Sequence, residues 1–189
     1  RERGLEYDIA HYGDFFYILN NAEGATNFKL DKTPIEKTEK AYWQPVIPHQ
    51  EAIRLEEIDI FKEYLVVTQR YNGLSQIRII RWDGLGEHYL PFDNETYTAS
   101  TGLNLDFDTE ILRYTYNSMT TPYSVIDYNM RTSEKQVMKE QQVLGGTFDK
   151  ENYTSERLWA TAADGTQIPI SIVYRKGIKR DGSSPLLLY

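Results

Sequence analysis

The sequence predicts an all-β chain arranged as a partial β-propeller: two to three four-stranded antiparallel blades over residues 1–145, then a distinct segment over 146–189. Three observations carry that prediction. Aromatic residues make up 13% of the chain, with 15 tyrosines in 189 residues. Such side chains, like β-branched ones, suit a pleated, half-buried surface. Helical periodicity is weak nearly everywhere, while alternating apolar runs bounded by turn residues are common. Finally, a unit recurs: Asp14-Phe15-Phe16-Tyr17, Glu63-Tyr64-Leu65-Val66 and Glu110-Ile111-Leu112-Arg113 align at offsets of 49 and 47 residues. Four strands in about 45–50 residues is the period of a propeller blade. An immunoglobulin-like sandwich would not explain so regular a spacing.

The elements follow in order. The first unit reads as strands over Tyr7–Ala10, Phe15–Leu19, Asn27–Leu30 and Gln44–Ile47, with a polar turn at Asn20–Gly24. Thr38–Gln44 is the best helical stretch, and Pro45 ends it. The second unit reads as Leu55–Ile60, Tyr64–Thr68, Gln76–Arg81 and Glu87–Leu90. Asn72-Gly73 falls between its two central strands, and Asn-Gly is a strong signal for the positive-φ turn of a tight hairpin. The third unit reads as Leu103–Phe107, a strand from Glu110, Tyr123–Met130 and Lys135–Met138. The period fails near Gly145-Gly146, two residues with little backbone restraint. Beyond it, Glu156–Thr161 and Gln167–Tyr174 flank Ala163-Asp164-Gly165 and predict a long hairpin. Pro185-Leu186-Leu187-Leu188-Tyr189 reads as a buried strand. An opening at Arg1-Glu2-Arg3, without an initiator Met or signal-peptide pattern, and a stop inside an apolar run are expected of a segment cut from a longer protein.

Composition excludes several chemistries. A net charge of −7 argues against a nucleic-acid partner, which calls for clustered Lys and Arg. No apolar run approaches the ~18 residues that span a bilayer, so no membrane partner is expected. Without cysteine there is no disulfide, thiol nucleophile or thiolate metal site. The three histidines, His11, His49 and His88, lack the spacing of a metal site. Asp106-Phe107-Asp108-Thr109-Glu110 lacks the glycine and distal Glu of a calcium loop. Neither metal nor cofactor is predicted. No G-x-S-x-G nucleophile elbow is present. Asn94-Glu95-Thr96 and Asn152-Tyr153-Thr154 match glycosylation acceptors, a triplet frequent by chance.

Acid recurs on the first strand of each unit. Asp8, then Glu57 and Asp59, then Asp106 are candidates to line an axial substrate channel, where negative charge attracts cationic peptides. Ordinary edge polarity is the competing reading.

Four motifs carry a resemblance. Ser118-Met119-Thr120-Thr121-Pro122, Asn152-Tyr153-Thr154-Ser155-Glu156-Arg157-Leu158-Trp159, Asp164–Tyr174 and Pro185–Tyr189 resemble segments of the prolyl oligopeptidase family of serine peptidases, in its oligopeptidase B branch. The resemblance implies the last blades of a seven-bladed propeller over residues 1–145. It implies the first strands of an α/β-hydrolase domain over 146–189, with Gly145 and Gly146 as hinge candidates. It places the family's Ser, Asp and His, its oxyanion-hole tyrosine and the acids that select Lys or Arg beyond Tyr189. No catalytic residue is therefore carried over, and the segment alone is expected to be inactive. The implied parent cleaves short, basic peptides in the cytoplasm, its propeller shielding the active site and limiting substrate size. The implied partners are those peptides and the hydrolase domain, and the segment alone is expected to self-associate. The alternative is a stand-alone propeller-type module that binds proteins or peptides.

Overall fold

A computed structural model describes residues 3–189. The first sheet comprises β1 (Tyr7–Tyr12), β2 (Phe15–Asn20), β3 (Lys29–Pro34) and β4 (Gln44–Ile47), hydrogen-bonded in chain order. The second comprises β5 (Ile53–Ile60), β6 (Tyr64–Tyr71), β7 (Leu74–Arg81) and β8 (Glu87–Tyr89). The third comprises β9 (Tyr97–Thr101), β10 (Ile111–Ser118), β11 (Ser124–Asn129) and β12 (Lys135–Glu140). All pairings are antiparallel, so each sheet is a meander closed within its own stretch of chain. Among the described residues, β13 (Tyr153–Thr161) and β14 (Gln167–Arg175) pair only with each other.

Alternation along β6 explains how the sheets stack. Tyr64 and Val66 face a core shared with Leu112, Tyr114 and Tyr128 of the third sheet. Leu65 and Val67 face the opposite way, into a core shared with Tyr17, Leu19 and Leu30 of the first. The second sheet is thus the middle layer, and β6, buried on both faces, begins with the continuous apolar run Tyr64–Val67 for that reason. Each fully buried aliphatic side chain contributes about 1.5–3 kcal/mol relative to exposure. β10 instead alternates strictly, with Leu112, Tyr114 and Tyr116 inward and Ile111 outward. Stacked Tyr12 and Trp82, with ring centroids 4.3 Å apart, stitch the first seam. The Tyr12 hydroxyl donates to the Lys62 carbonyl at 2.8 Å across that seam.

The Asn72-Gly73 expectation holds. The residues have φ of 49° and 77° and join Tyr71 to Leu74 in a two-residue turn. Four expectations need correction. The third strand of the first sheet begins at Lys29, not Asn27, because Phe28 takes a φ of 63° and the Asn27 amide donates to the Gln50 and Glu51 carbonyls. Thr38–Gln44 holds only a 3-10 turn at Lys40–Tyr42. The first strand of the third sheet is Tyr97–Thr101, whereas 103–107 is a loop exposing Leu103 and Leu105. Asn104 accounts for that loop: its side chain accepts from Arg113 N–H at 2.8 Å and donates to the Arg113 and Gly102 carbonyls. A side-chain amide thereby replaces the strand ladder. Lastly, 185–189 forms no strand in the structure, and Leu186, Leu187 and Leu188 are exposed.

Candidate functional site

The first strands of the first two sheets bring acid together, beside the first strand of the third, through one irregularity. The register of β5 on β6 shifts between Leu55 and Glu57. Such a bulge adds one residue and reverses the side-chain phase beyond it. Before it, Leu55 enters the core shared with the first sheet; after it, Ile58 and Ile60 do. Glu57 and Asp59 are thereby turned off that core, and Thr101 of β9 lies beside both. Glu56, the inserted residue, is held outward by Arg70 through contacts of 2.9 and 3.2 Å.

The electrostatics follow from this packing. Burial raises the Asp59 carboxyl above the ordinary aspartate range, and the neighbouring Thr101 hydroxyl opposes the shift. Asp59 Oδ2 and Thr101 Oγ1 are both buried without a well-formed hydrogen bond. Glu57 is also raised, first by desolvation and then by the negative charge of Asp59, with a smaller contribution from Asp8. Asp8 on β1 is exposed, and its Oδ1 accepts from the Ile9 N–H at 2.8 Å. Three of the four sequence-predicted acids therefore form one group along the first strands. Asp106 does not share that strand position. It lies in the loop before β10, where its Oδ1 accepts from the Asp108 N–H at 3.1 Å. Its displacement follows from the Asn104 arrangement.

Gly145 and Gly146 lie in the exposed connection between β12 and β13. Gly145 has a φ of +84°, where a side chain is strained, and Gly146 does not share that conformation. Ser118 and Thr120 of the resemblance motif close the β10–β11 connection. Ser118 Oγ accepts from the Thr120 and Thr121 N–H groups, and the Thr120 hydroxyl donates to Asn94 Oδ1 at 3.3 Å. Asn94 in turn donates to the Tyr116 hydroxyl at 2.7 Å, so this glycosylation-like asparagine is engaged internally. Sequence reasoning missed Thr101 and the bulge at Glu56. The run Tyr97-Thr98-Ala99-Ser100-Thr101, rich in β-formers, was the available signal for β9.

Three consecutive four-stranded meanders, stacked face to face with the acid group on the first strands of two of them, define a β-propeller segment. Residues 1–141 match the prolyl oligopeptidase N-terminal β-propeller domain, and the chain belongs to that family. It is 40% identical to dipeptidyl aminopeptidase BI of Pseudoxanthomonas mexicana and 32% identical to protease 2 of Moraxella lacunata, both matches extending over 100% of this chain. It covers 26% of both relatives, so it spans about a quarter of their length. The structure is similar to oligopeptidase B of Trypanosoma brucei with covalently bound antipain. That match has a TM-score of 0.82 and 31% identity, covering 95% of this chain and 26% of the other. Oligopeptidase B of Leishmania major matches with the same TM-score of 0.82 and 30% identity, again covering 95% of this chain and 26% of that one.

Proposed function

We propose that this chain is the propeller-side part of a serine-type oligopeptidase that cleaves short peptides after Lys or Arg. The observation that carries the reading is that the resemblance to oligopeptidase B continues past residue 141, through the hairpin, in both sequence and structure. In this reading, residues 1–145 shield the active site and limit substrate size. Residues 146–189 open the α/β-hydrolase domain, and Gly145-Gly146 is the crossing between them. Asp8, Glu57 and Asp59 line the inner edge and draw in basic peptides by their field. Acyl transfer through a serine belongs to residues outside this chain. A cytoplasmic location is proposed on resemblance alone.

A second reading concerns cleavage mode. The 40% identity to a dipeptidyl aminopeptidase favours release of dipeptides from a free N-terminus. The stand-alone binding module is the third reading, and the continuation of similarity past 141 weighs against it.

The test uses the 189-residue chain and the longer protein that carries it. A serine-directed fluorophosphonate is expected to label only the latter. The longer protein is expected to hydrolyse N-blocked Arg and Lys substrates, whereas a requirement for a free N-terminus would select the second reading. Stoichiometric labelling of the 189-residue chain, or no labelling of the longer protein, would overturn the peptidase assignment.

A further inference from the structure

The β13–β14 hairpin stands apart from the sheets, with a polar cleft lined by Asn94, Glu95, Thr120, Lys150, Thr154 and Lys176 at its base. One residue of the hairpin reaches across to two blades. The Arg157 backbone N–H donates to Glu95 Oε2 at 3.0 Å, just ahead of β9. Its Nη2 donates to the Asn72 carbonyl in the β6–β7 turn. A Cβ built on Gly73 would stand 3.2 Å from that Nη2, so the guanidinium packs directly against the turn. Gly73 also needs its φ of +77°, and the glycine serves both requirements. The seam between these two blades is tied at the same place. The Tyr97 hydroxyl donates to the Ser75 carbonyl at 2.8 Å, and the charge of Arg157 favours ionisation of Tyr97 against the effect of burial. On its other side Arg157 lies over the Trp159 ring, 5.0 Å from the centroid, and so is braced within the hairpin.

We propose that Arg157 is a latch that fastens the hairpin onto the seam between the second and third blades. A guanidinium suits the task because its planar fork reaches a backbone carbonyl while stacking on an aromatic face. The acceptor is main chain in a tight turn, so the contact depends on turn geometry and not on a second side chain. If the proposed function holds, on which this extension rests, opening the latch is what frees the hydrolase side to move away from the propeller.

The test needs no peptidase activity, so it stands or falls separately from that assignment. The 189-residue chain lacks cysteine, which permits one engineered spin-label pair, Lys139→Cys on β12 and Ala163→Cys in the hairpin turn. Arg157→Ala is expected to broaden the distance distribution. It is also expected to speed amide exchange across 153–175 at least about tenfold, leaving 64–81 unchanged. Glu95→Ala, which removes one of the two anchors, is expected to give a smaller change in the same direction. Arg157→Lys is expected to fall between Arg157→Ala and the wild type. An unchanged distribution and exchange pattern in Arg157→Ala would overturn the latch. So would equal loss of protection in β6–β7, since Arg157 would then merely stabilise the blades.

Discussion

Two antiparallel strand pairs of nearly equal length occupy opposite environments in this chain. β6–β7 forms eight register pairs around the Asn72-Gly73 turn. β13–β14 forms nine, from Tyr153 opposite Arg175 to Thr161 opposite Gln167. Both are rich in Ile, Leu and Val. Yet Leu65 of β6 is 1% exposed, while Leu158 of β13 is 43% exposed and Trp159, Ile168 and Ile170 are similarly open. The ladder is a local product of turn and strand propensity, whereas burial is supplied by neighbours. The middle blade has a neighbour on each face, and the hairpin is held at Arg157.

The largest expected effect contrasts one residue type in the two settings. Leu65→Ala should cost about 2–5 kcal/mol, because it opens a cavity between two packed sheets. Leu158→Ala should cost less than about 1 kcal/mol. Urea unfolding of both variants checks this, and equal costs would break the comparison. A second consequence concerns bare faces. The outer side of the first blade exposes Tyr7 and Ile9, and β12 exposes Val137 and Met138. The isolated chain is expected to self-associate through such surfaces at high concentration, as seen by light scattering. A strictly monomeric mass would count against it.

The smallest effect is electrostatic. Burial raises the Asp59 carboxyl, so the folded state binds its proton more tightly than the unfolded state. Its contribution to stability is therefore complete below the ordinary value of about 3.9 and is lost as pH rises through the raised folded value. Asp59→Asn should raise the urea midpoint at neutral pH and leave it nearly unchanged below about pH 4. An advantage for Asn that persists at low pH would show that packing, and not charge, is responsible.

Much of this was legible in the sequence, for reasons that particular residues make plain. The second strands of the blades begin at Phe15, Tyr64 and Ile111, where the repeat placed them. Asn72-Gly73 marked its hairpin because turn chemistry is local. The features that escaped are those where one residue changes a phase or substitutes for backbone. Asn104 imitates a strand partner, so the alternation of Leu103, Leu105 and Phe107 lines no sheet. The bulge at Glu56 decides which way Glu57 and Asp59 face, and no propensity reveals it. The side chains of 186–189 are exposed in the structure, so an apolar run alone could not predict their environment. Arg157 was visible only as one position in a motif, because its partner is a backbone carbonyl 85 positions away in the chain.

Because each sheet is drawn from one uninterrupted stretch of chain, the ribosome delivers the blades one at a time. A blade can complete its hydrogen bonds as soon as its own residues emerge. Its second apolar face, however, must wait for the next blade. The second strands of the middle and third blades start 47 residues apart, at Tyr64 and Ile111. At about 5–20 residues per second, that interval lasts about 2–10 s. During it, Tyr64 and Val66 present a finished but uncovered surface. Nascent chains of this fold are therefore expected to be most vulnerable to off-pathway association, and most receptive to chaperones, in the gap between one blade and the next.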